Sequence, residues 1–274
     1  MSKIPLYKEY ENITKILEEI NKPKPKVIAI IQARMASTRL PGKVLLPLGP
    51  KNKPVLWWLF YRIGLAELVD QVVVATTNNP VNQPIMDFAD HNHKGWYVYG
   101  YDGEEDDVIG RVISCAKFYD ADIVVDITGD CPMVDPRHID HLVNYLLITK
   151  TSDYVSNDVI HRSWPDGLDV QVYWLDTLMK CQRRLNPKQH CGYNIGSNSL
   201  LFNVNRFWAP VKYHWPELGL TLDTSEDYKF LQRIFNYFGD YPGFMVEHVI
   251  DFLRENPDWI TNKDVKRKDP TKEG

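Results

Sequence analysis

The chain has 274 residues, 44% of them hydrophobic and 25% charged, which is ordinary for a globular protein and enough to bury one sizeable core. Its formal net charge of −4 excludes nucleic-acid binding by overall electrostatics, so any basic site must be local. No run reaches the ~20 apolar residues of a membrane span, and the four cysteines at 115, 131, 181 and 191 lack metal-type spacing.

In chain order, Leu6, Tyr10, Ile13, Leu17 and Ile20 recur at helical spacing and predict a short amphipathic helix. The stiff basic linker NKPKPK follows, so residues 1–25 read as an extension. The start MSKIPLYKEYEN has no apolar signal core, and with the unpaired cysteines this leads us to expect a cytoplasmic protein. From residue 26 strands alternate with helices. Strands are predicted at 26–32, 71–76, 96–101 and 122–128, with helices at about 53–67, 82–92, 106–119 and 136–148 between and after them. Near-continuous Val/Ile runs mean burial on both faces, the mark of a mostly parallel, Rossmann-like α/β sheet flanked by helices in a single domain. Further strands are expected at 167–174, 198–205 and 218–224, some antiparallel, completing the same sheet. Helices at about 225–238 and 244–255 close the domain at residue 260, and the charged stretch 261–274 reads as a flexible tail.

Ligands of such sheets bind beyond the C-terminal ends of the strands, so each motif is weighed by whether it follows a strand. AIIQARMASTRLPGK, Ala29 to Lys43, does: it gathers Arg34, Ser37, Arg39 and Lys43 directly after the first strand. A P-loop needs Gly where Ser37 stands and Ser or Thr where Val44 stands, and no GxGxxG occurs. There remains a loop whose side-chain cations suit a polyphosphate, with arginine making forked contacts and lysine acting as a point charge; surface ion pairing is the plainer alternative. Asp130 follows the strand DIVVDITG and Asp223 ends the run LTLD. A carboxylate at each of two strand ends suits one Mg²⁺, although both residues also sit where turn and helix caps occur. DAD at 120–122 lies before its strand, at the wrong end of the sheet, and reads as a solvated turn. Asp107 and Arg111 are one helical turn apart, the spacing of an ordinary i,i+4 pair. WWLFY, 57–61, reads as core or dimer interface rather than a base-stacking platform.

IIQARMASTRLPGKVLLPL resembles the signature of the sugar-activating cytidylyltransferases, the family of CMP-Kdo and CMP-sialic acid synthetases, most closely the spore-coat-polysaccharide-type branch. The resemblance continues through VVVATTNNP, EEDDVIGRV, VDITGDCPMVDP, PDGLDVQVY and LTLDTSEDY, covering roughly 26–240 in order. It implies that Arg34, Arg39 and Lys43 hold the CTP triphosphate with help from Ser37. Ala33, Thr76 and Thr77 would border the cytosine, Arg111 would face the nucleotide, and Asp130 and Asp223 would bind Mg²⁺. Arg34, Lys43 and Asp130 are then the candidate catalytic residues. It also implies a homodimer and a product used in surface polysaccharide synthesis.

The acceptor is expected between HRSWPDGLDVQVY and NPKQHCGYNIGSN, whose Arg162, Asp166, Asp169, Lys188, His190 and Asn194 suit a hydroxylated or charged small molecule. The branch usually reads Arg-Glu-His where this chain has Lys188-Gln189-His190. Residues alone leave the acceptor open between a sugar acid, whose hydroxyl must lose a proton, and a phosphomonoester, which is already anionic. A glycosyltransferase that consumes a nucleotide-sugar is the alternative activity, since it shares the fold type and the need for a divalent ion.

Overall fold

A computed structural model describes residues 23–92, 95–157 and 160–267, so the N-terminal helix expected at 6–20 lies outside the described residues. A seven-stranded sheet runs through the molecule in the order β5-β4-β1-β6-β8-β7-β9. Its strands are β1 Val27–Gln32, β4 Gln71–Thr77, β5 Tyr97–Tyr101, β6 Ile123–Thr128, β7 Tyr154–Ser156, β8 Gln171–Trp174 and β9 Val204–Arg206. A separate two-stranded ribbon pairs β2 Pro47–Leu48 with β3 Lys53–Pro54. β5, β4, β1 and β6 are all parallel, while β8 runs antiparallel to both of its neighbours, β6 and β7.

Alternation along β1 shows why the sheet is covered on both sides. Val27, Ala29 and Ile31 point into a cluster with α1 Val55–Ile63, α4 Pro136–Ile148, α7 Ser225–Phe238 and α8 Val246–Glu255. Ile28 and Ile30 point the other way, toward α3 Val108–Phe118, α5 Leu175–Leu185 and α6 Cys191–Gly196. The remaining helix, α2 Gln83–Asn92, adds Ile85 and Phe88 to the first cluster. Each such fully buried aliphatic side chain contributes roughly 1.5–3 kcal/mol. Trp58 and Phe60 are buried, which settles WWLFY as core; Trp57 stacks on Tyr61 with ring centroids 5.1 Å apart. Among the described residues no helix is long and apolar enough to cross a membrane.

The second half departs from the sequence-based expectation in detail. Residues 218–224 form no strand: Leu218 O accepts from Asp166 N, Leu220 N donates to Asp166 O, and Leu222 N donates to the carbonyl of Asp130. The segment therefore lies across the end of the sheet instead of joining it. Only 171–174 of the stretch 167–174 is strand, because the side chain of Asn157 accepts from Val170 N (2.8 Å) and donates to Leu168 O (2.6 Å). Of 198–205 only the last two residues lie in a strand, Leu201 and Phe202 being tied in a turn to Asn198 O. β7, α5 and α6 are elements that the sequence reading did not place.

Candidate active site

The C-terminal ends of β1 and β6 open into a cleft of about 690 Å³, closed on the far side by the chain around 162–171 and 189–193. Its first wall is the loop after β1. Met35 N donates to the buried Asn82 Oδ1 at 2.8 Å, and Met35 O accepts from Ser37 N and Gly42 N, so the loop folds back on itself. Gly42 takes the left-handed conformation (φ 70°) that closes this turn, and the 3₁₀ turn Lys43–Leu45 starts directly behind it. Arg34, Ser37, Arg39 and Lys43 are thereby all brought to the cleft, together with Ala33. Arg34 makes only a loose, exposed pair with Asp106 at 3.3 Å.

The opposite wall is the turn after β6. Gly129 N donates to Gln32 O at 2.8 Å, and a Cβ on Gly129 would stand 2.8 Å from that same oxygen, so this close approach needs glycine. Asp130 comes next. Its carbonyl accepts from Leu222 N (2.8 Å) and from the Thr221 hydroxyl (3.3 Å), which brings Asp223 alongside. A capping box between Thr224 and Asp227 starts α7 and fixes Asp223 just ahead of it.

Both carboxylates converge on one point. Lys43 Nζ lies 2.6 Å from Asp130 Oδ2 and 3.1 Å from Asp223 Oδ1, and Arg39 Nη2 lies 2.9 Å from that same Asp223 oxygen. Burial works against the Lys43 charge, but Asp130 and Asp223 outweigh it and hold the ammonium above its ordinary range. Burial likewise opposes the Asp130 carboxylate, and Lys43 outweighs it, so the group is held below its ordinary range. Among the described residues no three His, Cys, Asp or Glu side chains surround a possible metal. The pair therefore fits an ion that takes few protein oxygens and completes its shell with phosphate and water.

The wall around 162–171, where the acceptor is expected, is acidic. Arg162 Nη1 is shared between Asp166 (2.9 Å) and Asp169 (3.0 Å). Burial lifts the Asp166 carboxyl to about 6, against the pull of Arg162. His190 lines the cleft with a buried Nε2 that has no hydrogen-bond partner among the described residues.

Some expected residues stand elsewhere. Thr76 and Thr77 are fully buried in β4 and do not line the cleft; the Thr77 hydroxyl donates to Glu105, which also holds Asn82. Thr77 supports the loop after β1 through Asn82, which accepts from Met35 N. Lys188 is not a lining residue, and Asn194 uses its amide to donate to Gln189 O and His190 O, within its own turn. Arg111 does line the cleft and donates to Glu105 O at 3.2 Å, while Asp107 is spent capping α3 rather than pairing with Arg111. Asp122 accepts from Lys26 N at 2.7 Å in the turn before β6, away from the cleft.

Asp126 was not singled out, and it lies in the cleft floor. It accepts from Gln32 Nε2 and from the Tyr173 hydroxyl (3.0 Å), and burial pushes its carboxyl up to about 6. A charged residue inside the apolar run IVVDIT was the available signal. Gln32, Cys131 and Gln171 also line the cleft without having been named as candidates, and nothing in their spacing marks them.

Comparison with known proteins agrees with this geometry. A family model described as cytidylyltransferase matches residues 28–164. The spore coat polysaccharide biosynthesis protein SpsF of Bacillus subtilis is 29% identical over 246 residues, spanning 87% of this chain and 98% of that protein. The 3-deoxy-manno-octulosonate cytidylyltransferase of Geobacter metallireducens is 35% identical over 118 residues, 43% of each chain. The solved structure of a cytidylyltransferase from Leptospira borgpetersenii superposes with a TM-score of 0.80 at 29% identity, covering 89% of this chain and all of that one.

Proposed function

The chain belongs to the cytidylyltransferase family and is a nucleotidyltransferase that uses CTP; on that premise we propose that it activates a small sugar acid for surface polysaccharide synthesis and releases pyrophosphate. The supporting observation is the meeting of Arg39, Lys43, Asp130 and Asp223 at one point beyond β1 and β6. Arg34, Arg39 and Lys43 bind the triphosphate, and Arg111 adds charge beside the nucleotide. Asp130 and Asp223 would hold Mg²⁺, and Lys43, which lies between them, would serve the triphosphate. Bound Mg²⁺ supplies charge neutralisation on the phosphates and on the departing pyrophosphate. Lys43 and Arg39 add fixed positive charge where negative charge builds, without reorganising at the moment of transfer.

Charge at the acceptor end favours a hydroxylated sugar acid over a phosphomonoester. Asp126, Asp166 and Asp169 face that end, Arg162 is already shared by two of them, and Lys188 is absent from the lining. A phosphate dianion would meet uncompensated carboxylates. Sugar hydroxyls donate to them instead, and the acid's carboxylate needs a donor, a role open to His190 Nε2, which has no partner among the described residues. Asp166, near 6, suits accepting a proton from the attacking hydroxyl close to neutral pH. The Geobacter enzyme acts on 3-deoxy-manno-octulosonate, a sugar acid, and SpsF serves spore coat polysaccharide biosynthesis, which supports this reading.

The test is pyrophosphate release from CTP and Mg²⁺ over a panel of 2-keto sugar acids and phosphorylated alcohols. Release with a sugar acid alone is expected. Release only with phosphorylated acceptors contradicts the acceptor assignment, and sugar transfer from a nucleotide-sugar without pyrophosphate contradicts the whole reading.

A further inference from the structure

Behind the acid pair lies a second layer of charge, supplied by the stretch that reads from sequence as the start of a flexible tail. Asn262 is buried there, and Arg267 packs beside it. Both meet Asp227, a fully buried carboxylate whose two oxygens face different ways. Asp227 Oδ2 accepts from Asp223 N (3.2 Å), Thr224 N (2.9 Å) and the Thr224 hydroxyl (3.0 Å), which fixes the turn bearing Asp223. Asp227 Oδ1 accepts from Arg267 Nη2 (2.7 Å) and Asn262 Nδ2 (2.7 Å).

Arg267 also reaches the acceptor wall. Its Nε lies 3.9 Å from Asp166 Oδ2. The guanidinium lies against Gly219, where any Cβ would overlap it, and Asn262 Nδ2 donates to Gly219 O at 3.0 Å. The chain from 218 to 223 is thus held between the Asp166 and Asp130 backbones and this strap.

We infer that Arg267 is a positioning residue that couples the two ends of the site: through Asp227 it fixes Asp223, and through Asp166 it steadies the acceptor wall. The forked guanidinium suits this because it presents two donors in fixed relation; a lysine ammonium offers one point of charge and reaches one carboxylate at a time. The consequence for nucleotide binding rests on the reading of Asp223 as a ligand of magnesium–triphosphate.

Two measurements test this on the full chain and on the variants Arg267→Ala and Arg267→Lys. The first is hydrogen exchange without nucleotide or metal. Arg267→Ala is expected to speed exchange about tenfold at 222–228 and around 166–168, with β1 and β6 unchanged. Arg267→Lys keeps the Asp227 contact and speeds exchange only around 166–168. The second is calorimetry with CTP, in Mg²⁺ and in EDTA. Arg267→Ala weakens binding about tenfold in Mg²⁺ and leaves it unchanged in EDTA, a split that general loss of stability does not produce. Unchanged exchange in both segments, or a uniform rise that includes β1 and β6, overturns the coupling. Equal loss of CTP binding in both buffers overturns its role toward Asp223. If Arg267→Ala does not fold, a local effect in Arg267→Lys supports the inference and a uniform one overturns it. If the unaltered chain binds no CTP, the functional reading falls by itself and the exchange measurement still decides the coupling.

Discussion

Lys43 stands where its ammonium holds two carboxylates apart, and this makes it informative to remove. In Lys43→Ala, Asp130 and Asp223 face each other with only Arg39 to offset them, so the variant loses stability at neutral pH. Mg²⁺ restores it: the expected result is a larger rise in melting temperature with added Mg²⁺ than in the unaltered chain, and an equal rise contradicts the shared-point geometry. Asp130→Ala keeps the fold, since only its backbone carbonyl ties Leu222, and lowers pyrophosphate release by at least ~10²-fold; retained activity counts against the metal assignment. Asp126 gives a prediction of opposite sense. Burial raises its carboxyl from 3.8 to about 6, so the folded state binds the proton more tightly than the unfolded one. Its contribution is therefore favourable below about pH 4 and is lost as pH rises toward 6. Asp126→Asn removes that penalty and is expected to stabilise the chain at pH 7.5 by on the order of 2 kcal/mol, with little change at pH 4. A variant less stable at pH 7.5 contradicts this. Placement at the cleft was legible where a charged residue follows an apolar strand, as with Arg34, Lys43 and Asp130. It was not legible for Thr76 and Thr77, which end β4 and are buried there, the Thr77 hydroxyl being taken up by Asn82 and Glu105.

The elements that set the site are the first turns after β1 and β6 and the start of α7. Thr224→Ala removes the cap that fixes Asp223 and costs about 1 kcal/mol. Its effect on the apparent Mg²⁺ requirement should be larger than on CTP binding in EDTA, and equal effects contradict the link from cap to Asp223. β1, β4, β5 and β6 were readable because strands buried on both faces are apolar without interruption. β7 was not, having three residues, and β9 was reached only by the last two residues of the expected 198–205. The segment 218–224 has the composition of a strand, yet it bonds to the Pro165–Gly167 turn and to Asp130 O, which no periodicity announces. Gly167, at φ 100°, packs its backbone against Leu220 and Thr221, which makes that crossing possible.

Across the whole molecule, the proposed function gives the triphosphate end to the parallel half of the sheet and the acceptor end to the antiparallel β8 with the loops around it. Ligand binding to the folded state alone raises the melting temperature, by about 2.7 kcal/mol of stabilisation at a hundredfold excess over Kd. CTP with Mg²⁺ should raise it well above CTP in EDTA. The homodimer implied by the family resemblance is checked by light scattering, where a single-chain mass contradicts it. The most direct test of the account is a crystal soaked with CTP and Mn²⁺ and measured at the manganese edge. One anomalous peak within coordination distance of both Asp130 and Asp223, with the triphosphate against Arg39 and Lys43, is the expected result. A triphosphate bound elsewhere, with Lys43 still lodged between the two carboxylates, contradicts it.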